Sequence, residues 1–336
     1  TADYTALEAV VDGTLRQALG NANNNDIIIF EFDKDDYPAV IRLKRVLDVQ
    51  KNITIVGSGQ SRVVISGDTD GDGSGDVPLF IVNNGAQLTL DHLKLQDGFA
   101  ASYGGAVSVT EGSGLTAMDS SFVGNQAGQF GGAVDVDRGH HRIERCLFLN
   151  NSVLGSTAMA GGAVSVYTDG EASIINSTFV GNLQENGGGL GGGAVYAENS
   201  DVSGSFTLQV EHCTFKDNTD EALSGSAILS SSAYTFAEVR NNIFSDQQGL
   251  VLDVLGGGSF DSLGGNIATD ATLTTYTTGN DTQSIVLLDN VNDLVADPDP
   301  VDVLLGALAD NGGATMTCAV GAGSPAINFG LAGSVT

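Results

Sequence analysis

The tetrapeptide Gly-Gly-Ala-Val begins at Gly104, Gly131, Gly161 and Gly192, and a worn copy, Gly225-Ser226-Ala227-Ile228, follows. Successive copies start 27, 30, 31 and 33 residues apart. Self-similarity at such a period signals stacked supersecondary units, none of which can bury its apolar face alone. The fold therefore depends on the shape of one unit.

Each unit carries a second landmark, an aromatic residue followed three positions later by an amide. The pairs are Phe122/Asn125, Phe148/Asn151, Phe179/Asn182, Phe215/Asn218 and, blurred, Phe244/Gln247. Five positions before each Phe stand Ala117, Ile143, Ile174, Val210 and Val239, and two positions before it Ser120, Cys146, Ser177, Cys213 and Asn242. Apolar residues alternate over short runs bounded by Gly, Asn and Ser, which is the strand period rather than the helical one. Glycine pairs and β-branched residues crowd every window and leave no room for a helix. Two or three short strands per unit read as one coil of a parallel β-helix, each residue about 4.8 Å above its counterpart. The Phe series then forms an internal stack and the Asn series a turn ladder between coils. The glycine pairs supply sharp turns that need positive φ.

The cysteines bear on this register. Cys146 and Cys213 share a column with Ser177 between them, so their Cα atoms are expected about 9–10 Å apart. A disulfide needs about 4.4–6.8 Å. Both thiols, and Cys318, are expected to be free, and no histidine is placed by the repeat to activate either column thiol.

The 336 residues hold 13 Lys and Arg against 41 Asp and Glu, a formal charge of −28. Such a surface repels phosphate backbones, which excludes nucleic acid and anionic membranes as partners. No apolar run approaches a membrane span, and no signal peptide is recognisable. A mature, monomeric module of a longer secreted protein is expected.

The repeat divides the chain into a cap with first coils (1–56), regular coils (57–248), and irregular coils with a closing segment (249–336), all within one domain. In the cap, Asp12-Gly13-Thr14-Leu15-Arg16-Gln17-Ala18-Leu19 offers a capping residue and apolar spacing for a short helix ending near Gly20. Strand-like runs follow at 27–32, 40–43 and 53–56. A helix here would cover the open edge of the first coil, with Arg16 as its anchor.

Two sites stand out. Asp68-Thr69-Asp70-Gly71-Asp72-Gly73-Ser74-Gly75-Asp76 places Asp68, Asp70, Asp72 and Asp76 at positions 1, 3, 5 and 9 of a calcium-type loop, with Gly at 6. Leu79 stands where a bidentate Glu belongs, and no helices flank the loop. Four carboxylates within nine residues nonetheless repel one another unless a cation sits among them, so the loop is read as a structural calcium site, the alternative being a solvated acidic insertion. The other site follows from the register. In Gly-Gly-Ala-Val-x-Val-x both Val point inward, so the fifth and seventh positions face out. The fifth reads Ser108, Asp135, Ser165, Tyr196, Leu229 and the seventh Thr110, Asp137, Tyr167, Glu198, Ser231. Asp135, Asp137, Tyr167, Tyr196 and Glu198 thus form one outer strip on which a sugar chain could stack and hydrogen-bond. Ordinary polar decoration is the alternative reading. For catalysis, Asp135 and Asp137 lie about 6.7 Å apart along a strand, close to the carboxylate separation of an inverting glycosidase. His140 follows as a further candidate.

These landmarks together resemble the right-handed parallel β-helix repeat proteins of bacterial surfaces, within the wider pectate-lyase-like superfamily. Gly-Gly-Ala-Val with Ser-Thr-Phe-x-x-Asn is similar to the repeat of polymorphic outer-membrane proteins. Thr14-Leu15-Arg16-Gln17-Ala18-Leu19 resembles the Ser-Leu-Arg-Glu-Ala-Ile element that opens many of them, without its Cys and with Gln17 for its Glu. The segments 308–313 and 324–328 resemble the closing element before their surface anchors. The resemblance implies an all-β right-handed solenoid of an exported or surface-anchored protein and no particular activity. With the outer strip, the chain is read as an extracellular, non-catalytic, adhesin-like module that binds glycan or a surface. None of the catalytic motifs of pectate lyases, polygalacturonases or alginate epimerases is present. A polysaccharide lyase or hydrolase is the alternative, and a structural spacer the third reading.

Overall fold

The computed structural model describes residues 13–59, 62–155, 161–167, 171–185, 191–199, 206–221, 225–245, 247, 250–269, 273–278, 281–286, 288, 290–295 and 301–331. It is an all-β parallel solenoid. Sheets of nine, eight and ten strands run along it, with a narrower five-stranded sheet on one side. One coil consists of Val134–Asp137, His140–Glu144, Leu147–Leu149 and Ser152–Val153, one strand in each sheet. Its counterparts on the next coil are Val164–Tyr167, Glu171–Ile175, Thr178–Val180 and Leu183–Gln184. The pairing is residue for residue: Val134 with Val164, Ile143 with Ile174, Phe148 with Phe179.

The internal columns follow the expected register. Phe122, Phe148, Phe179, Phe215 and Phe244 are fully buried. Neighbouring ring centroids lie 4.7, 4.7, 4.8 and 5.1 Å apart, with planes within 18°. Asn125, Asn151, Asn182 and Asn218 form the ladder. The Asn151 Oδ1 accepts from both the backbone N–H and the Nδ2 of Asn125, each at 3.0 Å. Asn182 does the same for Asn151. Every amide is thereby satisfied in a place where an unpaired one would cost about 1–3 kcal/mol. Gln247 leaves the ladder and turns to the Ser245 carbonyl. A second ladder begins where it leaves off, with Asn242 bonded to Asn266.

The glycine pair is required twice over. Gly131 has φ of 57°, and a Cβ on Gly132 would sit 2.1 Å from the Gly162 carbonyl oxygen of the next coil. A second corner holds non-glycine residues at positive φ on successive coils: His92, Asp119, Arg145, Asn176, His212 and Asn241. Asn, Asp and His tolerate this region better than most residues. Arg145 does not, and its guanidinium is held by both oxygens of Asp119 one coil away, at 2.8 and 2.7 Å.

Cys146, Cys213 and Cys318 are free and buried. Burial pushes the Cys146 and Cys213 thiols up to about 12. They stand in for serine in a column where Ser120, Ser177 and Asn242 accept backbone N–H groups of the preceding coil.

The cap helix spans Leu15–Asn21, with Thr14 as its N-cap, accepting from the Gln17 N–H. Asp12 lies outside the described residues. Leu15 is buried in the core, and Arg16 donates to the carbonyls of Arg45 and Val46 on the first coil. Parallel pairing continues past 248, through Ile267–Ala268 to Leu294–Val295. The Thr-rich stretch is an antiparallel hairpin of Leu273–Thr278 and Asp281–Val286. The closing segment does not sit on the end. Its two strands, Leu305–Ala309 and Thr317–Val320, pair antiparallel, and the segment runs along the flank. Thr315 donates to the Arg145 carbonyl, and Leu331 bonds Asn241 through both its N–H and its C=O. Among the described residues no helix is long and apolar enough to cross a membrane.

Candidate functional site

The outer columns pair as the repeat dictates. Ser108, Asp135, Ser165, Tyr196 and Leu229 are successive partners, as are Asp137, Tyr167, Glu198 and Ser231. They do not form a flat exposed strip. A groove of about 450 Å³ opens over the first coils of the series, lined by Tyr103, Ser108, Phe130, Asp135, Asp137 and Tyr167 among others. One wall is aromatic. Tyr103, about half exposed, stacks on Phe130 with centroids 6.0 Å apart, and the Tyr167 ring meets Phe130 edge-on at 5.0 Å.

Tyr196 corrects the expectation of an exposed stacking ring. It points outward, yet it is fully buried, in a small apolar cluster with Phe130 and Leu229, against which Tyr167 packs. The aromatic residue just before the glycine pair folds over the face and covers it. The Tyr196 hydroxyl donates to Glu198, which is thereby engaged inside the protein. Neither residue lines the groove. Tyr103 and Phe130, which do, escaped the sequence reading. Their signal was present: both directly precede a Gly-Gly pair, a position that pairs across coils.

Asp135 is the unusual group. It is 9% exposed, and its Oδ1 makes no hydrogen bond of ordinary geometry among the described residues, although the Ser165 hydroxyl bears on it. Burial, reinforced by the neighbouring Asp137 carboxylate, pushes its carboxyl up to about 8. Asp137 is more open, and its Oδ1 accepts the Arg138 N–H at 2.9 Å. The Arg138 guanidinium turns away to Glu111, also at 2.9 Å. His140 is not part of this constellation. It is exposed on His140–Glu144, a strand of the nine-stranded sheet, while Asp135 lies in the eight-stranded one. The corner between the two strands turns it off the groove. The adjacent His141 faces inward, stacked between Leu115 and Ala172. Burial pulls its imidazole down to about 4, a backbone contact to Asp137 offsetting only part of this.

In the acidic loop, oxygens of Asp68, Asp70 and Asp76 lie within 4.8 Å of one another, and Asp72 is not in that group. Its Oδ1 instead accepts the Ser74 N–H. Asp68 accepts the N–H groups of Gly71, Asp72 and Gly73, and Asp76 accepts both the N–H and the hydroxyl of Thr69. Lys44 reaches the Thr69 carbonyl, adding positive charge beside the loop. Three carboxylates fit a divalent cation, and their own hydrogen bonds already shape the turn.

Comparison with known proteins bears on the fold. Residues 79–270, more than half of the chain, match the family described as the right handed beta helix region. No curated protein and no solved structure matches the chain.

Proposed function

Since the chain belongs to the right-handed β-helix family, which fixes a stack of coils and no particular reaction, we propose that it is an extracellular, non-catalytic module that binds glycan in the groove beside Phe130. The observation that carries this reading is the groove itself: an exposed tyrosine backed by a buried phenylalanine, facing two carboxyl groups one turn of strand apart. Sugar rings present apolar C–H faces and a girdle of hydroxyls, so they are recognised by aromatic faces with adjacent polar groups. The acidic surface suits a protein kept soluble outside a cell. Calcium at Asp68, Asp70 and Asp76 has a structural role in this reading.

A second reading, hydrolysis, has one observation in its favour. The environments of Asp135 and Asp137 divide the two carboxyls into a neutral acid and a neighbouring carboxylate, which is how general acid and base are assigned. One panel separates the readings. Oligosaccharides are titrated into the protein and the mixtures assayed for new reducing ends. Binding without turnover, weakened about tenfold by Tyr103→Ala, is the expected result. New reducing ends lost in Asp135→Ala establish hydrolysis instead, and failure to bind any glycan leaves the spacer role.

A further inference from the structure

We propose that the groove selects uncharged pyranose chains over uronate chains, with the Asp135 carboxyl donating a hydrogen bond to a sugar oxygen. This rests on the glycan reading and adds the class of ligand and the polarity of one contact.

The first observation is the Asp135 carboxyl, which lines the groove at 9% exposure and whose Oδ1 makes no hydrogen bond of ordinary geometry among the described residues. Only the Ser165 hydroxyl, on its register partner beneath the groove, bears on it as a side-chain hydrogen-bonding group. A buried carboxyl so poorly satisfied at the edge of a groove marks a place for a ligand hydroxyl. The second observation is the charge of the lining, in which no Lys, Arg or His appears among the described residues. Its own strand places Asp137 beside Asp135, the strand Val107–Val109 contributes Ser108 and no ionisable group, and Val164–Tyr167 contributes Tyr167. Tyr103 and Phe130 close the wall, Tyr196 and Glu198 beyond them are bonded to each other, and Arg138 is paired with Glu111. A uronate carboxylate placed here meets the Asp137 carboxylate with nothing to neutralise it, which is a device for rejecting the wrong ligand. Burial keeps the Asp135 carboxyl protonated to about pH 8, so near neutrality it offers an O–H where an ionised carboxylate only accepts.

The test is calorimetric, with cellohexaose, xylohexaose and mannohexaose against hexagalacturonate, between pH 6 and pH 9. A neutral hexaose is expected to bind, at least about tenfold tighter than hexagalacturonate at pH 6. Its affinity is expected to fall about tenfold by pH 9, as the donor ionises. Asp135→Asn, whose amide donates at every pH, flattens this profile. Asp137→Asn moves the loss to lower pH, because the charge that helps hold the proton on Asp135 is gone. Equal affinity for hexagalacturonate, or a flat profile in the unmodified protein, overturns the inference while the glycan reading stands. If none of the four hexaoses binds, both fall.

Discussion

The inner Phe and Asn columns and the outer column through Asp135 are built on the same coils and obey opposite rules. Inside, each coil repeats its neighbour: five phenylalanine rings stack nearly parallel and four asparagines pass one hydrogen-bond pattern along. Outside, the partners Ser108, Asp135, Ser165, Tyr196 and Leu229 share almost no chemistry. Repetition is what stacking requires, since like side chains at strand spacing fill space without voids. A specific groove requires the reverse, a place where one coil differs from the next. Stability in this molecule resides in sameness, and recognition in departure from it.

The comparison is broken most directly by Phe148→Ala, which opens a gap between two stacked rings and is expected to cost about 3–5 kcal/mol. Chemical denaturation measures it, and a loss below about 1 kcal/mol would mean the column is not the backbone of stability. His141 is the exception that sharpens the rule, a titratable ring in an apolar column. Its folded pKa, about 4, lies below the usual value of 6.5, so the neutral form is favoured by folding. The His141 contribution is therefore full above pH 6.5 and is lost as the pH falls toward 4, by about 3 kcal/mol in total, while the raised Asp135 carboxyl adds stability over the same range. His141→Leu, which matches Leu115 beneath it, should therefore gain stability relative to the unmodified protein as the pH falls from 6.5 to 4, read as the difference between paired melts. At the small end, Tyr103→Ala should change stability by no more than about 0.5 kcal/mol, because the ring is half exposed. A larger loss in the same denaturation experiment would place Tyr103 among the structural columns and not the recognition face.

The fold was legible because its signal is spread over many coils. Gly131 and Gly132 announce a corner through backbone geometry that only glycine meets, and Phe148 and Asn151 announce their stacks by recurrence. The groove was legible in part. Counting from Gly-Gly-Ala-Val put Asp135, Asp137 and Tyr167 on one face, because strand alternation fixes which way a side chain points. It could not say what lies above that face. Tyr196 points outward and is nonetheless buried, since Phe130, from a corner two coils earlier, reaches over the sheet by its ring size and turn shape. The pairing of Arg145 with Asp119 was hidden for the same reason: both sit at an irregular corner with no alternation to read. Thr315 against Arg145 is a contact across 170 positions of sequence, beyond any local pattern.

That flank contact changes how the molecule would yield under load. A solenoid gripped by its last coil can be unzipped one coil at a time, each rupture exposing the next. Here tension arriving through Leu331 enters at Asn241, upstream of the final pairing at Leu294–Val295. Thr315 carries part of it further back, to the Arg145 corner. Those few hydrogen bonds stand between the pull and the last ladder, so they must break before the final coil is loaded.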